Sequence, residues 1–89
     1  MSNNHQDYRY YNIIIKEMKK YAKKEFPKGS RLLSINIDIE LFDDSFNDNL
    51  LDVRTSIDKK SKDTLFLKTI ITENKSTLVQ ATAIWSKDI

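Results

Sequence analysis

The residues best suited to chemistry stand near the amino terminus, directly before an aliphatic segment. His5 and Asp7 are titratable groups that can exchange a proton with a bound substrate. Asp7 also precedes a run of periodic apolar residues, where a carboxylate can cap the free backbone N–H groups of a helix. For His5, the only histidine of the chain, a surface position without a chemical role is the alternative. The residues alone leave both alternatives open.

One long amphipathic helix is predicted over residues 8–26, with Asp7 as its cap. Apolar residues recur there at spacings of three and four and should form its buried stripe: Tyr11, Ile14, Ile15, Met18, Ala22 and Phe26. The opposite side carries five lysines: Lys16, Lys19, Lys20, Lys23 and Lys24. Pro27 and Gly29 should end the helix, because proline disfavours helical geometry before it and glycine tolerates the turn.

Alternating apolar and polar residues predict four strands after this helix, separated by short polar turns. Their inward positions are predicted to be Leu33, Ile35, Ile37, Ile39 and Leu41, then Leu51, Val53, Thr55 and Ile57, then Leu65, Leu67, Thr69 and Ile71, and finally Val79, Ala81, Ala83 and Trp85. Short turns favour antiparallel neighbours in a meander. The predicted fold class is therefore α+β, with the N-terminal helix packed on a four-stranded antiparallel sheet in one domain, residues 1–89.

Composition excludes several kinds of site. The chain has 89 residues with no cysteine, one histidine and one glycine, so we predict no zinc–sulfur site, no histidine metal cluster and no glycine-rich phosphate loop. Asp43, Asp44 and Asp48 lack the spacing of a calcium loop. No cofactor and no metal are predicted. The polar first residues and the lack of a long apolar run predict a soluble, cytoplasmic protein without a membrane segment.

The net charge of +2 conceals an uneven distribution. Residues 9–31 contain eight basic and two acidic side chains, whereas residues 32–63 contain four basic and eight acidic ones. The basic helix face suits an anionic ligand such as a nucleotide phosphate, and a solvated face is the alternative. Twelve lysines against three arginines, scarce glycine and no recognition motif argue against nucleic acid as the partner.

The amino-terminal segment resembles the start of the central helix in hotdog-fold thioesterases of the 4-hydroxybenzoyl-CoA type. In that family a Gly-His-x-Asn-Asn segment precedes a tyrosine and an aromatic pair. Here Asn3-Asn4, Tyr8 and Tyr10-Tyr11 correspond to it with one residue inserted. The segment LVQATAIW at 78–85 is similar to the family's closing strand. The chain begins after the place of the family's first strand and catalytic aspartate, so we expect a short form lacking that strand.

The resemblance implies a protein that binds acyl-CoA or a related acyl thioester as a homodimer. If it is an enzyme, the resemblance implies a thioester hydrolase, with backbone N–H groups at the helix start polarising the carbonyl group. The implied site residues are Asp7 and His5 for catalysis, and Asn4, Tyr8, Lys20 and Lys24 for the ligand, the two lysines holding the CoA phosphates.

A second interpretation keeps the helix-on-sheet scaffold but makes it a non-catalytic interaction module, an inhibitor or an adaptor. Ile13, Tyr10 and Tyr21 fall beside or opposite the predicted stripe and would offer a protein partner a surface on the helix flank. An open sheet edge, left by the missing first strand, would offer another.

Overall fold

A single long helix lies on one face of a four-stranded antiparallel sheet. The computed structural model describes residues 4–39, 51–73 and 76–88. Helix α1 spans Asn4–Glu25, and the strands are β1 (Ser30–Ile39), β2 (Leu51–Lys60), β3 (Thr64–Glu73) and β4 (Ser76–Lys87). The α+β class, with the helix packed on four antiparallel strands, is confirmed.

The strand order is β1-β4-β3-β2, which corrects the simple meander. Strands β2, β3 and β4 follow one another as neighbours, but β1 pairs with β4 and not with β2. Residues 40–50 separate β1 from β2, and this segment is too long for a tight hairpin. Its length is compatible with the position of β2 at the opposite edge of the sheet from β1. As a result β3 and β4 are the central strands, beneath the helix.

The helix begins earlier than predicted. It includes Asn4, so Asp7 lies inside the first turns and the prediction that it caps the helix is wrong. Residues 4–7 contain neither proline nor glycine, and nothing in them stops the helix from extending towards the amino terminus. An acidic residue in a first turn is still favoured by the helix dipole. At the other end the Phe26 N–H donates to the Ala22 carbonyl at 2.8 Å, and Gly29 takes a positive φ of 137°. The helix therefore stops where Pro27 and Gly29 predicted.

The buried row of α1 follows a spacing of four throughout. Its members are Tyr10, Ile14, Met18, Ala22 and Phe26, each at most 7% exposed. Since four residues turn a helix by about 400°, such a row is inclined to the axis, and the helix crosses the sheet at an angle. A straight stripe was predicted instead, which placed Tyr11 inside and Tyr10 on the flank. Tyr10 is in fact 1% exposed and Tyr11 is 38% exposed.

The helix packs on an apolar sheet face whose register is continuous across the strands. Trp85 lies between Leu32 of β1 and Leu65 of β3, and Val79 lies between Ile39 and Ile71. The predicted inward residues of the two central strands are all buried: Leu65, Leu67, Thr69, Ile71, Val79, Ala81, Ala83 and Trp85. Thr69 is the buried polar residue of this face, and its hydroxyl bonds the Thr55 hydroxyl at 2.7 Å. The core therefore sits between α1 and strands β3 and β4.

Three strand irregularities alter the predicted alternation. In β1 the pairing slips between Leu32 and Ser34, so Leu32 packs against the core, and Leu33, which was predicted to face inward, is 52% exposed. A similar slip between Ile57 and Lys59 places Lys60 opposite the inward residue Leu65. A bulge adds one residue to a strand and thereby exchanges its two faces. The third slip, opposite Ile71 and Thr72, accompanies the burial of Leu78, which strict alternation with Val79 would place on the outer face. Leu41 lies outside the described residues.

The assignment of Leu33 to the bulge in β1 can be tested by comparison with a core leucine. Leu67→Ala should lower the free energy of unfolding by about 2–5 kcal/mol, because it removes a fully buried side chain and leaves a cavity. Leu33→Ala is the same chemical change at a half-exposed site and should cost less than about 1 kcal/mol. Urea unfolding of both variants measures the difference. Equal losses would contradict the assignment of Leu33 to the bulge.

Candidate functional site

Four of the predicted site residues belong to the start of α1. Asn4, His5, Asp7 and Tyr8 lie in its first turns, within about 6 Å along the axis. The first N–H groups of a helix have no intrahelical acceptor, and the dipole makes this end partially positive. These backbone N–H groups can therefore polarise a carbonyl group or hold an anion. The predicted catalytic roles of Asp7 and His5 stay predictions.

The two lysines assigned to the ligand lie far from that end. Lys20 and Lys24 follow Tyr8 by about 18 and 24 Å along the axis. Both side chains are exposed, and Lys20 Nζ lies 3.1 Å from the Glu17 carboxylate. An exposed pair of this kind contributes little to stability and leaves the lysine free to exchange partners. The first four site residues therefore share the first turns of the helix, and the two lysines lie in its later turns.

The helix flank proposed for a protein partner is largely occupied by the fold itself. Tyr10 is buried, and Ile13 and Tyr21 are half-buried and pack against the core. The Tyr21 hydroxyl donates to the Thr55 carbonyl of β2 at 2.9 Å. The prediction of an exposed flank is therefore wrong, because these residues pack in or against the core and Tyr21 also binds edge strand β2. Sequence periodicity missed this contact because a straight stripe places them away from the sheet.

Sequence reasoning also missed two concave surfaces. On the sheet face away from the helix, a shallow groove of about 210 Å³ is lined by polar and apolar residues, among them Asn36, Phe66, Thr82 and Ile84. Lys59 Nζ lies 6.0 Å from the centre of the Phe66 ring beside it. The second surface is a group of adjoining clefts where α1 ends. Lysines from separate segments line them, and only the strand register reveals that these lysines are neighbours.

Within residues 4–39, 51–73 and 76–88, no group of three His, Cys, Asp or Glu side chains comes close enough to hold a metal ion. Asp43, Asp44 and Asp48 lie outside these ranges. No helix in the described part of the chain is both long and apolar enough to cross a bilayer.

This chain is similar in fold to two proteins of known structure. No known family model matches the sequence, and no curated protein matches it. The structure is similar to that of a hypothetical protein from Aquifex aeolicus, with a TM-score of 0.65 and 15% identity over 96% of this chain and 80% of that one. It is also similar to a probable thioesterase from Bartonella henselae, with a TM-score of 0.56 and 22% identity over 65% of this chain.

The second comparison covers 45% of the Bartonella protein, so this chain spans less than half of its length there. Both identities lie below 25%, and similarity at that level concerns the arrangement of helix and strands. The comparisons therefore support a thioesterase-like hotdog fold for this chain.

The contact between helix and edge strand can be tested on matched tyrosines. Tyr21→Phe should lower the free energy of unfolding by about 0.5–1.5 kcal/mol, because it removes the hydrogen bond to the Thr55 carbonyl. Tyr11→Phe, at an exposed position of the same helix, should change it by less than about 0.5 kcal/mol. Chemical denaturation gives both values, and an unchanged Tyr21→Phe would show that the bond contributes nothing.

Proposed function

We propose that this protein binds an acyl thioester, of the acyl-CoA class or related to it, at the start of α1. The observation that carries this proposal is the likeness of its fold to a probable thioesterase. The resemblance of Asn3-Asn4, Tyr8 and the Tyr10-Tyr11 pair to the helix start of hotdog thioesterases supports the same location independently. In this proposal Asn4 and Tyr8 bind the ligand, and Lys20 and Lys24 hold the phosphates of its carrier.

The proposed reaction is hydrolysis of the thioester. Free N–H groups in the first turn of α1 donate hydrogen bonds to the carbonyl oxygen and stabilise the negative charge that develops on it. The Asp7 carboxylate takes a proton from water, whose oxygen attacks the carbonyl carbon. The carbon–sulfur bond then breaks, and the proton passes to the departing thiolate, which leaves a free thiol and a carboxylic acid. His5 is a second group in the same turns that can carry this proton.

A homodimer is part of this proposal. A small domain buries a limited core, and a second copy would cover more apolar surface. We place the ligand between the two subunits, where residues of both can enclose it. The cytoplasmic location of the protein also stays a prediction.

The edge strands of the sheet favour a second function, the binding of a protein partner. Strands β1 and β2 have no outer neighbour within the described residues, and an extended peptide can add a strand to such an edge. The partly exposed Leu51, Val53 and Ile57 of β2 would contribute an apolar side to that contact. In this alternative the protein is a non-catalytic inhibitor or adaptor.

The catalytic proposal is tested with Asp7→Asn. This variant should abolish hydrolysis across a panel of acyl-CoA compounds, because the amide cannot take a proton from water, while the thermal midpoint stays within a few degrees. Asp38→Asn, at an exposed position of β1, is the matched control and should keep full turnover. Turnover of Asp7→Asn equal to that of the unsubstituted protein would remove Asp7 from the mechanism.

Binding is measured separately, as the rise in thermal midpoint with each acyl-CoA and the oligomeric mass by light scattering. Ligand at about a hundred times its dissociation constant should stabilise the fold by about 2.7 kcal/mol. A dimer that one acyl-CoA class stabilises would support the proposal even without turnover. A protein that no acyl-CoA stabilises, but that forms a stoichiometric complex released by Val53→Pro, would favour the interaction module. Proline removes an edge-strand N–H that the added strand would bind.

A further inference from the structure

The end of α1 opposite the proposed thioester site carries a concentration of lysines that the proposed function does not use. Two adjoining clefts of about 310 and 340 Å³ lie there and share residues 26–29. They are lined by five exposed lysines: Lys19, Lys23, Lys28, Lys62 and Lys87. We call this surface the lysine cleft. It lies about 30 Å along the helix from Asn4.

Backbone hydrogen bonds hold the contributing segments next to one another. The Asp88 N–H donates to the Gly29 carbonyl at 3.0 Å, and the Lys87 N–H donates to the Asp63 carbonyl at 2.8 Å. The turn after the helix, the β2–β3 hairpin and the end of β4 are thereby fixed side by side. Gly29 has a φ of 137°, which other residues rarely adopt, so glycine favours the backbone conformation of this turn. The lysines are thus positioned by main-chain contacts and not by chance side-chain conformations.

The charges in the lysine cleft are not balanced by the fold. Glu25 lines it, but its carboxylate already pairs with Lys60 at 2.9 Å. Asp63 and Asp88 stand at its far side, so five lysines face two available carboxylates. The described residues supply none of the five lysines with an ion pair. The negative end of the helix dipole stabilises Lys19 and Lys23. It does not explain why Lys28, Lys62 and Lys87, which come from other segments, lie at the same cleft. Their mutual repulsion would be relieved by a bound anion.

The lining also supplies neutral donors and a natural probe. Ser30 contributes a hydroxyl, and Trp85 contributes its indole. Trp85 Nε1 is buried and has no acceptor within the described residues. Trp85 is also the single tryptophan of the chain, so its fluorescence can be followed without the signal of a second tryptophan.

We propose that the lysine cleft binds the diphosphate group of a small molecule. An excess of three positive charges in a confined cleft matches an anion with two adjacent phosphates better than one carboxylate or one phosphate. Nucleic acid fits less well, because Phe26 and Trp85 are buried and offer no face for base stacking, and Asp63 and Asp88 would repel an extended polyanion. The lysine cleft lies away from the helix start, where the thioester group is proposed to bind, and it does not include Lys20 or Lys24, so pyrophosphate binding can fail while thioester hydrolysis is retained, and the reverse.

Calorimetric titration with inorganic pyrophosphate tests this proposal, with Trp85 fluorescence followed in parallel. The unsubstituted protein should bind with a heat signal and a change in fluorescence, and binding should weaken as salt rises. Lys23→Gln/Lys28→Gln should weaken it at least tenfold. The matched control, Lys16→Gln/Lys68→Gln, removes the same charge outside the lysine cleft and should alter affinity less than twofold. Circular dichroism checks that both variants fold.

Adenosine diphosphate and CoA are titrated in the same way to distinguish the source of the diphosphate. Affinities similar to that of pyrophosphate would show that the cleft recognises the phosphates alone. A higher affinity for either compound would identify that compound as the molecule that carries the diphosphate. No binding of pyrophosphate at millimolar concentration would overturn the proposal. Equal weakening in the two double variants would also overturn it. A single-stranded oligonucleotide that binds more than tenfold tighter than pyrophosphate would make nucleic acid the ligand instead.

Discussion

The structure depends on the contact between one inclined row of α1 and the two central strands. Ile14 and Met18 are fully buried against a face that includes Leu67 and Val79. Each such side chain contributes about 1.5–3 kcal/mol by leaving water, and the helix has no other way to bury its apolar side. Ala81 and Ala83, on β4, are also buried, and their small size leaves room for the larger residues of the helix. Without this contact neither end of the helix would have a fixed place on the sheet.

The edge strands are attached to this core by polar contacts. Tyr21 and Glu25, one turn apart on α1, reach the Thr55 carbonyl and Lys60 of β2. The bulge at Asp58 makes the second contact available, because it turns Lys60 towards the helix side. These bonds hold the C-terminal half of the helix over β2. They also remove the exposed flank that an interaction module would have used, and leave the sheet edges as its remaining surface.

The two ends of α1 present different chemistry. The first turns offer free N–H groups with Asp7 and His5 close by, whereas the last turns meet lysines from three other segments. The helix dipole accounts for the acidic residue at the start and for Lys19 and Lys23 near the end. It does not account for Lys28, Lys62 and Lys87. The two ends are thus candidates for two separate sites on one rigid element.

The sequence by itself determined the helix, its end at Pro27 and Gly29, and the inward faces of β3 and β4, because local periodicity and turn chemistry act within a few residues. Tertiary structure decided what depends on distant segments. Because the helix packs on the sheet along an inclined row, Tyr10 is buried and Tyr11 is exposed. The pairing of β1 with β4 includes a bulge, which exposes Leu33. Strand pairing also brought Lys62 and Lys87 to the same cleft as Lys28. No local pattern encodes this, because these residues are neighbours only after β1, β3 and β4 have paired.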